Sequence, residues 1–246
     1  MKKSNTDRST RKKAIENLYS MLLRDDELAF IFLGYSGILL RTKDTAIAFD
    51  PGKGLGLHEI SALEYLDLLV FSHNHWDHYN LDFAVKIFTK TNAHIVADSI
   101  SYNELADKIP PEKLTLGNPG ISGKMYESEG HKITALPGIH VGPQSQYLVH
   151  SGEYRIFHGG DSGYWRHKNH VADIAFVPTG TATTCAPEVA LAMVMDLKPR
   201  TVVAIHGNSQ DKREFRVLMS KVCPDIELLL PEQFTPIRML VRRGDV

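Results

Sequence analysis

Cysteine is nearly absent from this chain of 246 residues, in which only Cys185 and Cys223 occur. This scarcity argues against a disulfide framework or a Cys-rich structural zinc site, and it favours a reducing compartment, the cytoplasm. The sequence also lacks the run of about 20 apolar residues that a membrane span requires. Its basic N-terminus has no uninterrupted apolar stretch, which argues against a signal peptide.

Neither sign of charge is in excess, since 28 Lys and Arg stand against 29 Asp and Glu, for a formal net charge of -1. Binding to nucleic acid usually shows as an excess of basic residues, so no nucleic acid is expected as an obligate partner. A basic cluster within the first 13 residues is the one feature that favours a nuclease. A solvated tail explains that cluster more simply.

Hydrophobic periodicity predicts an α/β protein. Apolar residues at helical spacing between Arg11 and Leu23 predict an amphipathic helix, which we assign to an extension over residues 1–27. Such a helix packs on its own domain or on a second subunit, although a basic amphipathic helix is also able to lie on a membrane. From Leu28 onwards short apolar runs predict strands, and strands alternate with helices in the last third. Residues 28–246 are therefore expected to form the main domain.

The stretch "SHNHWDH", from Ser72 to His78, places three histidines and an aspartate within six positions. It directly follows "LDLLVF", which reads as a strand buried on both faces. Packing gives no reason to set three imidazoles beside a carboxylate, whereas first-row divalent metals prefer these ligands. The sequence therefore predicts a metal site, and the turn towards the next helix allows one loop to serve two neighbouring metals. The candidate ligands in this loop are His73, His75, Asp77 and His78.

Further donors follow other predicted strands. His140 comes after "ITALPGI", Asp161 follows "YRIFHGG", and His206 follows "TVVAI". Ligand sites in α/β proteins gather at the carboxyl ends of strands, which favours a common site. A lone histidine such as His140 is more often structural. Only the cluster at residues 73–78 favours a role as metal ligand for it. His158 lies three residues before Asp161 and is a candidate to hydrogen-bond a metal ligand without binding the metal itself.

The sequence resembles the metallo-β-lactamase fold superfamily. The resemblance rests on the HxHxDH motif at residues 73–78, on His140, on "GDSG" at Asp161 and on His206 after the final apolar strand. The run "GDSGYW", "DIAFVPTGT", "APEVA" and "VVAIH" is similar to the branch of ascorbate-phosphate lactonases and N-acyl-phosphatidylethanolamine phospholipase D-like enzymes. The resemblance implies a four-layer αββα sandwich. It also implies how the donors divide: one metal on His73, His75 and His140, a second on Asp77, His78 and His206, Asp161 as the bridge, and Asp50 orienting a ligand histidine.

Two divalent metals about 3.5–4 Å apart are able to share a hydroxide and make it a nucleophile at neutral pH. We therefore expect a dinuclear metal-dependent hydrolase that cleaves a small ester, lactone or phosphodiester, with Asp77 as a catalytic group that hydrogen-bonds the nucleophile. Zinc is the first choice of metal, with manganese or iron as alternatives. A helix N-terminus near Pro187 would suit an anionic small-molecule substrate. An iron-dependent oxidoreductase, a nuclease and a non-catalytic scaffold are rival hypotheses, and a homo-oligomer stays open.

Overall fold

The computed structural model describes residues 5–120, 123–128, 130–167, 169–181 and 184–241. The chain divides into two compact units. Unit 1 contains the residues up to Leu116 together with Glu232–Leu240, and unit 2 contains Gly117–Pro231 and the residues from Val241 onwards. The two units are not the same division as the predicted one, which separates an extension over residues 1–27 from a main domain over residues 28–246. That boundary stays a prediction.

Unit 1 is built on a mixed sheet. Its strands, within the described residues, are β1 (Glu27–Gly34), β2 (Gly37–Arg41), β3 (Ala46–Phe49), β4 (Leu68–Phe71), β5 (His94–Ala97), β6 (Leu114–Leu116) and β14 (Ile237–Leu240). They lie in the order β14-β1-β2-β3-β4-β5-β6. The strands from β14 to β3 pair antiparallel, and those from β3 to β6 pair parallel. The carboxyl ends of β3 and β4 therefore lie at the same edge of this sheet.

Helices pack on one face of this sheet. They are α1 (Asn5–Ser20), α2 (Leu57–Ser61), α3 (Leu81–Thr91) and α4 (Ser99–Leu105), with a 3₁₀ turn at Pro111–Lys113. Ile15 and Leu18 of α1 are fully buried in the core of unit 1, so the N-terminal helix packs on its own domain. The buried Arg41 guanidinium donates at 2.7 Å to the carbonyls of Leu18 and Tyr19, which the helix end leaves without internal partners.

Unit 2 contains a second mixed sheet. Its strands in the described ranges are β7 (Lys124–Ser128), β8 (His131–Pro137), β9 (Ser145–Ser151), β10 (Tyr154–His158), β11 (Ile174–Pro178), β12 (Thr201–Ile205) and β13 (Glu227–Leu229). They lie in the order β13-β12-β11-β10-β9-β8-β7. Strands β7 to β10 pair antiparallel and β10 to β13 pair parallel, so β10, β11 and β12 end at one edge.

The sheet of unit 2 carries α5 (Pro187–Leu197) and α6 (Ser209–Val222) on one face. The predicted start of α5 at Pro187 is confirmed, because a residue without an N–H suits the first helical position. A hairpin joins β9 to β10, with Gly152 at φ +57° in its turn. Asn208 and Asp211 form a reciprocal capping box at the start of α6.

Sequence periodicity missed the short elements. Helices α2 and α4 have five and seven residues, too few for a helical period to stand out. Strand β7 is mostly exposed and carries a polar sequence. In the part of the chain that the structure describes, none of the helices has both the length and the apolar character to span a bilayer.

Candidate metal centre

The predicted metal loop lies where β4 ends, at the edge that β3 shares. Residues 72–78 follow Phe71 directly, and Asp50 follows Phe49, the last residue of β3. The backbone N–H of Asp50 donates to the carbonyl of Val70 at 2.9 Å, which ties the two strand ends together. The loop ends before α3, where Asn80 is the N-cap and its side chain accepts from the N–H of Phe83 at 3.0 Å.

Asp50 is the centre of a buried hydrogen-bond network. One carboxylate oxygen, Oδ1, accepts from the N–H of Ser72 at 2.7 Å. The other, Oδ2, accepts from the Ser72 hydroxyl at 2.5 Å and lies 2.9 Å from Nδ1 of His78. The Ser72 hydroxyl has one proton and gives it to Asp50, so it accepts from Nδ1 of His73 at 3.0 Å. Asp50 thus reaches two histidines, one directly and one through Ser72.

This network assigns the ring protons of both histidines. His73 and His78 each carry a proton on Nδ1, which leaves Nε2 as the nitrogen whose lone pair is able to bind a metal. Their ring centres lie 4.0 Å apart, and the ring of His75 lies 4.4 Å from that of His73. Neutral imidazoles gathered in this way, with Nε2 left for a ligand, fit a divalent cation.

The turn after Asp50 supports the metal loop from its backbone side. Gly52 has φ +46° and donates its N–H to the carbonyl of His78 at 2.9 Å. A Cβ on Gly52 would lie 2.1 Å from the carbonyl oxygen of Asp77, so a side chain has no room there. Asp50 itself has φ +42°, a conformation that costs about 1–3 kcal/mol in a non-glycine residue and gathers at functional sites.

In unit 2, Asp161 and His206 meet at the edge where β10 and β12 end. Asp161 is nearly fully buried, and its Oδ2 lies 3.5 Å from Nε2 of His206. The His206 backbone has φ +52°, and the N–H of Gly207 donates to its Nδ1 at 2.9 Å. The sheet therefore brings together two donors that are 45 positions apart in sequence.

His140 lies half-buried in the loop after β8. Its neighbour Ile139 is tied to the turn of Asp161: its N–H donates to the Ser162 hydroxyl at 2.8 Å, and its carbonyl accepts from the N–H of Gly163 at 2.8 Å. These bonds hold the His140 segment beside the Asp161 segment. His158 is buried at the end of β10, and its Nδ1 accepts from the N–H of Gly160 at 3.2 Å.

Two residues that support the site were not predicted. Ser72 was part of the quoted motif but received no role, because its link between Asp50 and His73 depends on how β3 and β4 pair. Gln144 is buried, and in the amide orientation that suits its neighbours its oxygen accepts from the N–H groups of Asp161 and Ser162 at 2.9 and 2.8 Å. Gln144 lies in an irregular loop, where no periodic signal marks it.

The loop before α5 is held by its own side chains. Thr181 donates its hydroxyl to Asp211 at 2.6 Å, and the hydroxyl of Thr184 bonds both backbone groups of Gly180 at 2.9 Å. Burial raises the pKa of the Cys185 thiol to about 12, so it is protonated at neutral pH and is not a thiolate ligand. These contacts satisfy the two hydroxyls within the protein, and the start of α5 at Ala186 has no side-chain cap.

Comparisons with known proteins agree with this chemistry. Residues 29–206 match a family described as "Beta-lactamase superfamily domain". A UPF0173 metal-dependent hydrolase of Caldivirga maquilingensis is 30% identical over 192 residues, which are 73% of this chain and 82% of the relative. The chain belongs to the UPF0173 metal-dependent hydrolases of the beta-lactamase superfamily. The superfamily predicted from the motifs is thereby confirmed.

Other members of this UPF0173 family show the same likeness. The protein from Pyrobaculum islandicum is 28% identical over 202 residues, covering 75% of this chain and 88% of the relative. Among solved structures, Igni18, a metallo hydrolase from Ignicoccus hospitalis, superimposes with a TM-score of 0.72 at 19% identity, covering 88% of this chain and all of that one. The predicted α/β sandwich of the metallo-β-lactamase fold is confirmed by this likeness.

Proposed function

We propose that this metal-dependent hydrolase holds two divalent metals and cleaves a small ester, lactone or phosphodiester. His73, His75 and His140 would hold one cation, His78, Asp77 and His206 the other, and Asp161 would bridge them. Bound there, the cations would lower the pKa of a water molecule and polarise the oxygen of the bond under attack. Family membership supports the hydrolase over an oxidoreductase or a scaffold.

The observation that carries the proposal is the network around Asp50. Buried imidazoles lose rotational freedom when they bind a metal, and hydrogen bonds made beforehand reduce that cost. Asp50 accepts from Nδ1 of His78 directly and reaches His73 through Ser72. A packed core has no use for four polar residues bonded in this way, whereas a metal site needs histidines of one tautomer in one orientation.

Asp77 is the proposed catalytic carboxylate. Its Oδ2 lies 3.7 Å from Nε2 of His78, and its side chain is 13% exposed, so it is within reach of both a ligand position and solvent. In the proposed reaction Asp77 accepts a hydrogen bond from the attacking water and orients it. His158 and Gln144 act at a distance by holding the backbone turn that carries Asp161.

An anionic group on the substrate is supported by the surface of the metal loop. Trp76, between His75 and Asp77, is 58% exposed. The Tyr35 ring contacts its ring at a centroid distance of 5.4 Å, and Lys53 Nζ lies 5.2 Å from the Trp76 ring centre. This aromatic surface with a neighbouring cation suits a substrate that combines an apolar or planar part with a negative charge.

The proposal is tested by metal analysis of protein purified without added metal, followed by assays with lactones, phosphodiesters and thioesters. We expect two equivalents of zinc per chain and turnover of one of these classes. One equivalent of metal would contradict the dinuclear centre, and stoichiometric iron with oxygen or peroxide turnover would favour the oxidoreductase. Activity lost on chelation and restored by zinc would separate metal dependence from loss of fold.

A cytoplasmic location completes the proposal, and the oligomeric state stays open. Cys185 and Cys223 are both free thiols, as expected in a reducing compartment. Cell fractionation tests the location, and light scattering at several protein concentrations tests the oligomer. A single mass equal to one chain at every concentration would identify a monomer, and a mass that rises with concentration would identify self-association.

A further inference from the structure

Unit 2 contains a cavity of about 330 Å³ on the helix-covered face of its sheet. Four of its lining side chains carry basic nitrogen atoms: Lys132, His150, Arg155 and His170. They come from strands β8, β9 and β10 and from the segment that follows Asn169. None of the residues proposed for the metal centre lines this cavity, which is called the basic pocket below.

Strand register aligns three of these residues in one row. Lys132 of β8 lies opposite His150 of β9, and His150 lies opposite Arg155 of β10. Residues directly opposite in an antiparallel pair point to the same face with Cβ atoms about 5 Å apart. His150 therefore lies between two cationic side chains, those of Lys132 and Arg155, on one face of the sheet. A negative charge beside this row would be attracted to it.

Asp173 and Glu127 are acidic residues beside this row, and they compensate its charge only in part. Asp173 binds Arg155 through Nε at 3.1 Å and Nη2 at 2.7 Å, which fixes the guanidinium in one orientation. Glu127 lies 3.9 Å from Lys132 Nζ with both side chains more than half exposed, and such a pair contributes little. Among the described residues that line the basic pocket, none is acidic.

The two imidazoles report a desolvated and electropositive environment. Burial lowers the pKa of His150, and the positive charges of Arg155 and Lys132 lower it further, against the opposing effect of Asp173. Burial also lowers the pKa of His170. Both rings are therefore neutral at pH 7, and both are able to take up a proton when a negative charge enters.

The remaining wall adds hydrogen-bond donors and apolar surface. Thr134 and Asn169 offer a hydroxyl and an amide, while Met125 and Val171 are exposed apolar side chains. We propose that the basic pocket binds a small organic phosphate, with the phosphate group between Lys132, His150 and Arg155 and the organic part against Met125 and Val171. A dianion with several acceptor oxygens matches two cations and two imidazoles better than a single carboxylate does.

Phenylphosphonate is a suitable probe, because it has no ester bond for the metal centre to cleave. Binding to the metal-loaded protein is measured by calorimetry and by NMR of the histidine ring signals, with His150→Gln to assign the signal of His150. We expect saturable binding and a rise in the pKa of His150, since a bound anion stabilises the charged ring. Inorganic phosphate, which lacks an organic part, is expected to bind more weakly.

Two lysine variants locate the binding. Lys132→Gln should weaken phenylphosphonate binding about tenfold, the cost of one charge-assisted hydrogen bond. Lys124→Gln, on strand β7 and outside the pocket lining, is the matched control and should keep the wild-type affinity. Circular dichroism checks that both variants fold. Binding that Lys132→Gln leaves unchanged, a His150 signal that does not respond, or inorganic phosphate binding as tightly as the phosphonate would each overturn the proposal.

Discussion

The two units present their candidate metal donors in different ways. Unit 1 supplies its donors from one contiguous loop, and Asp50 orients two of them through hydrogen bonds. Unit 2 supplies its donors from separate strand ends, and Asp161 meets His206 only because β10 and β12 lie in one parallel sheet. A local motif is thus stiffened by a buried carboxylate, while the dispersed donors depend on the sheet and on backbone turns.

The two units also differ in the partner that a buried histidine has. His78 of unit 1 has the Asp50 carboxylate at 2.9 Å. His167 of unit 2 is also fully buried, but its Nε2 lies 3.1 Å from the amide oxygen of Gln146. Burial lowers the pKa of His167 to about 4. An imidazole beside a carboxylate is prepared for a cation, whereas one beside an amide is a neutral part of the core.

The largest expected effect concerns the donors of unit 2, which come from separate strand ends. Asp161→Ala should reduce turnover more than about 1000-fold. Mutating a residue that only hydrogen-bonds a metal ligand costs roughly 10- to 100-fold, and removing a bridging ligand should cost more. Steady-state kinetics measures the loss, and circular dichroism checks the fold. The exposed Asp225→Ala is the control and should keep wild-type turnover. An Asp161→Ala variant with full activity would refute the bridging role.

The second effect concerns the pH dependence of stability. Folding lowers the pKa of His167 from its ordinary value of 6.5 to about 4, so the unfolded chain binds the extra proton first as pH falls. The contribution of this residue is fully present above pH 6.5 and is lost towards pH 4, by up to about 3 kcal/mol. Chemical denaturation at several pH values measures this loss.

His167→Phe is the matched variant for this test, since the aromatic neighbours Phe157 and Trp165 surround the ring. The free energy of unfolding of the variant should vary less between pH 7 and pH 4 than that of the wild type. An identical pH profile in the two proteins would show that His167 is not the group responsible.

The third effect concerns the metal loop of unit 1 and the carboxylate of Asp50. Asp50→Ala should weaken metal binding about 10- to 100-fold, the usual cost of removing the acceptor behind a ligand histidine. Competition with a chromophoric chelator measures this affinity without any assay of turnover. Two variants of Ser72 refine the result: Ser72→Ala, which affects only His73, should lose less than Asp50→Ala, and Ser72→Thr, which keeps the hydroxyl, should restore the affinity. Wild-type affinity in Asp50→Ala would contradict the role of the network.

Much of this arrangement was predictable because its signals are local. Apolar runs located most strands, Asn80 and Pro187 marked two helix starts, and the spacing within residues 73–78 indicated a metal site. The final predicted strand, β14, pairs with β1, and no local signal reveals a partner some 200 positions away. Ser72 and Gln144 were missed for the same reason, because their partners come from other segments.

The sequence by itself determined the types of donor, their places just after apolar strands and the near absence of competing cysteine chemistry. These depend on side-chain chemistry and short-range periodicity. Only the tertiary structure decided that Asp50 serves both His73 and His78, and that Lys132, His150 and Arg155 lie in one row. Strand pairing sets both, and a shift of one residue in register would turn each of these side chains to the opposite face of its sheet.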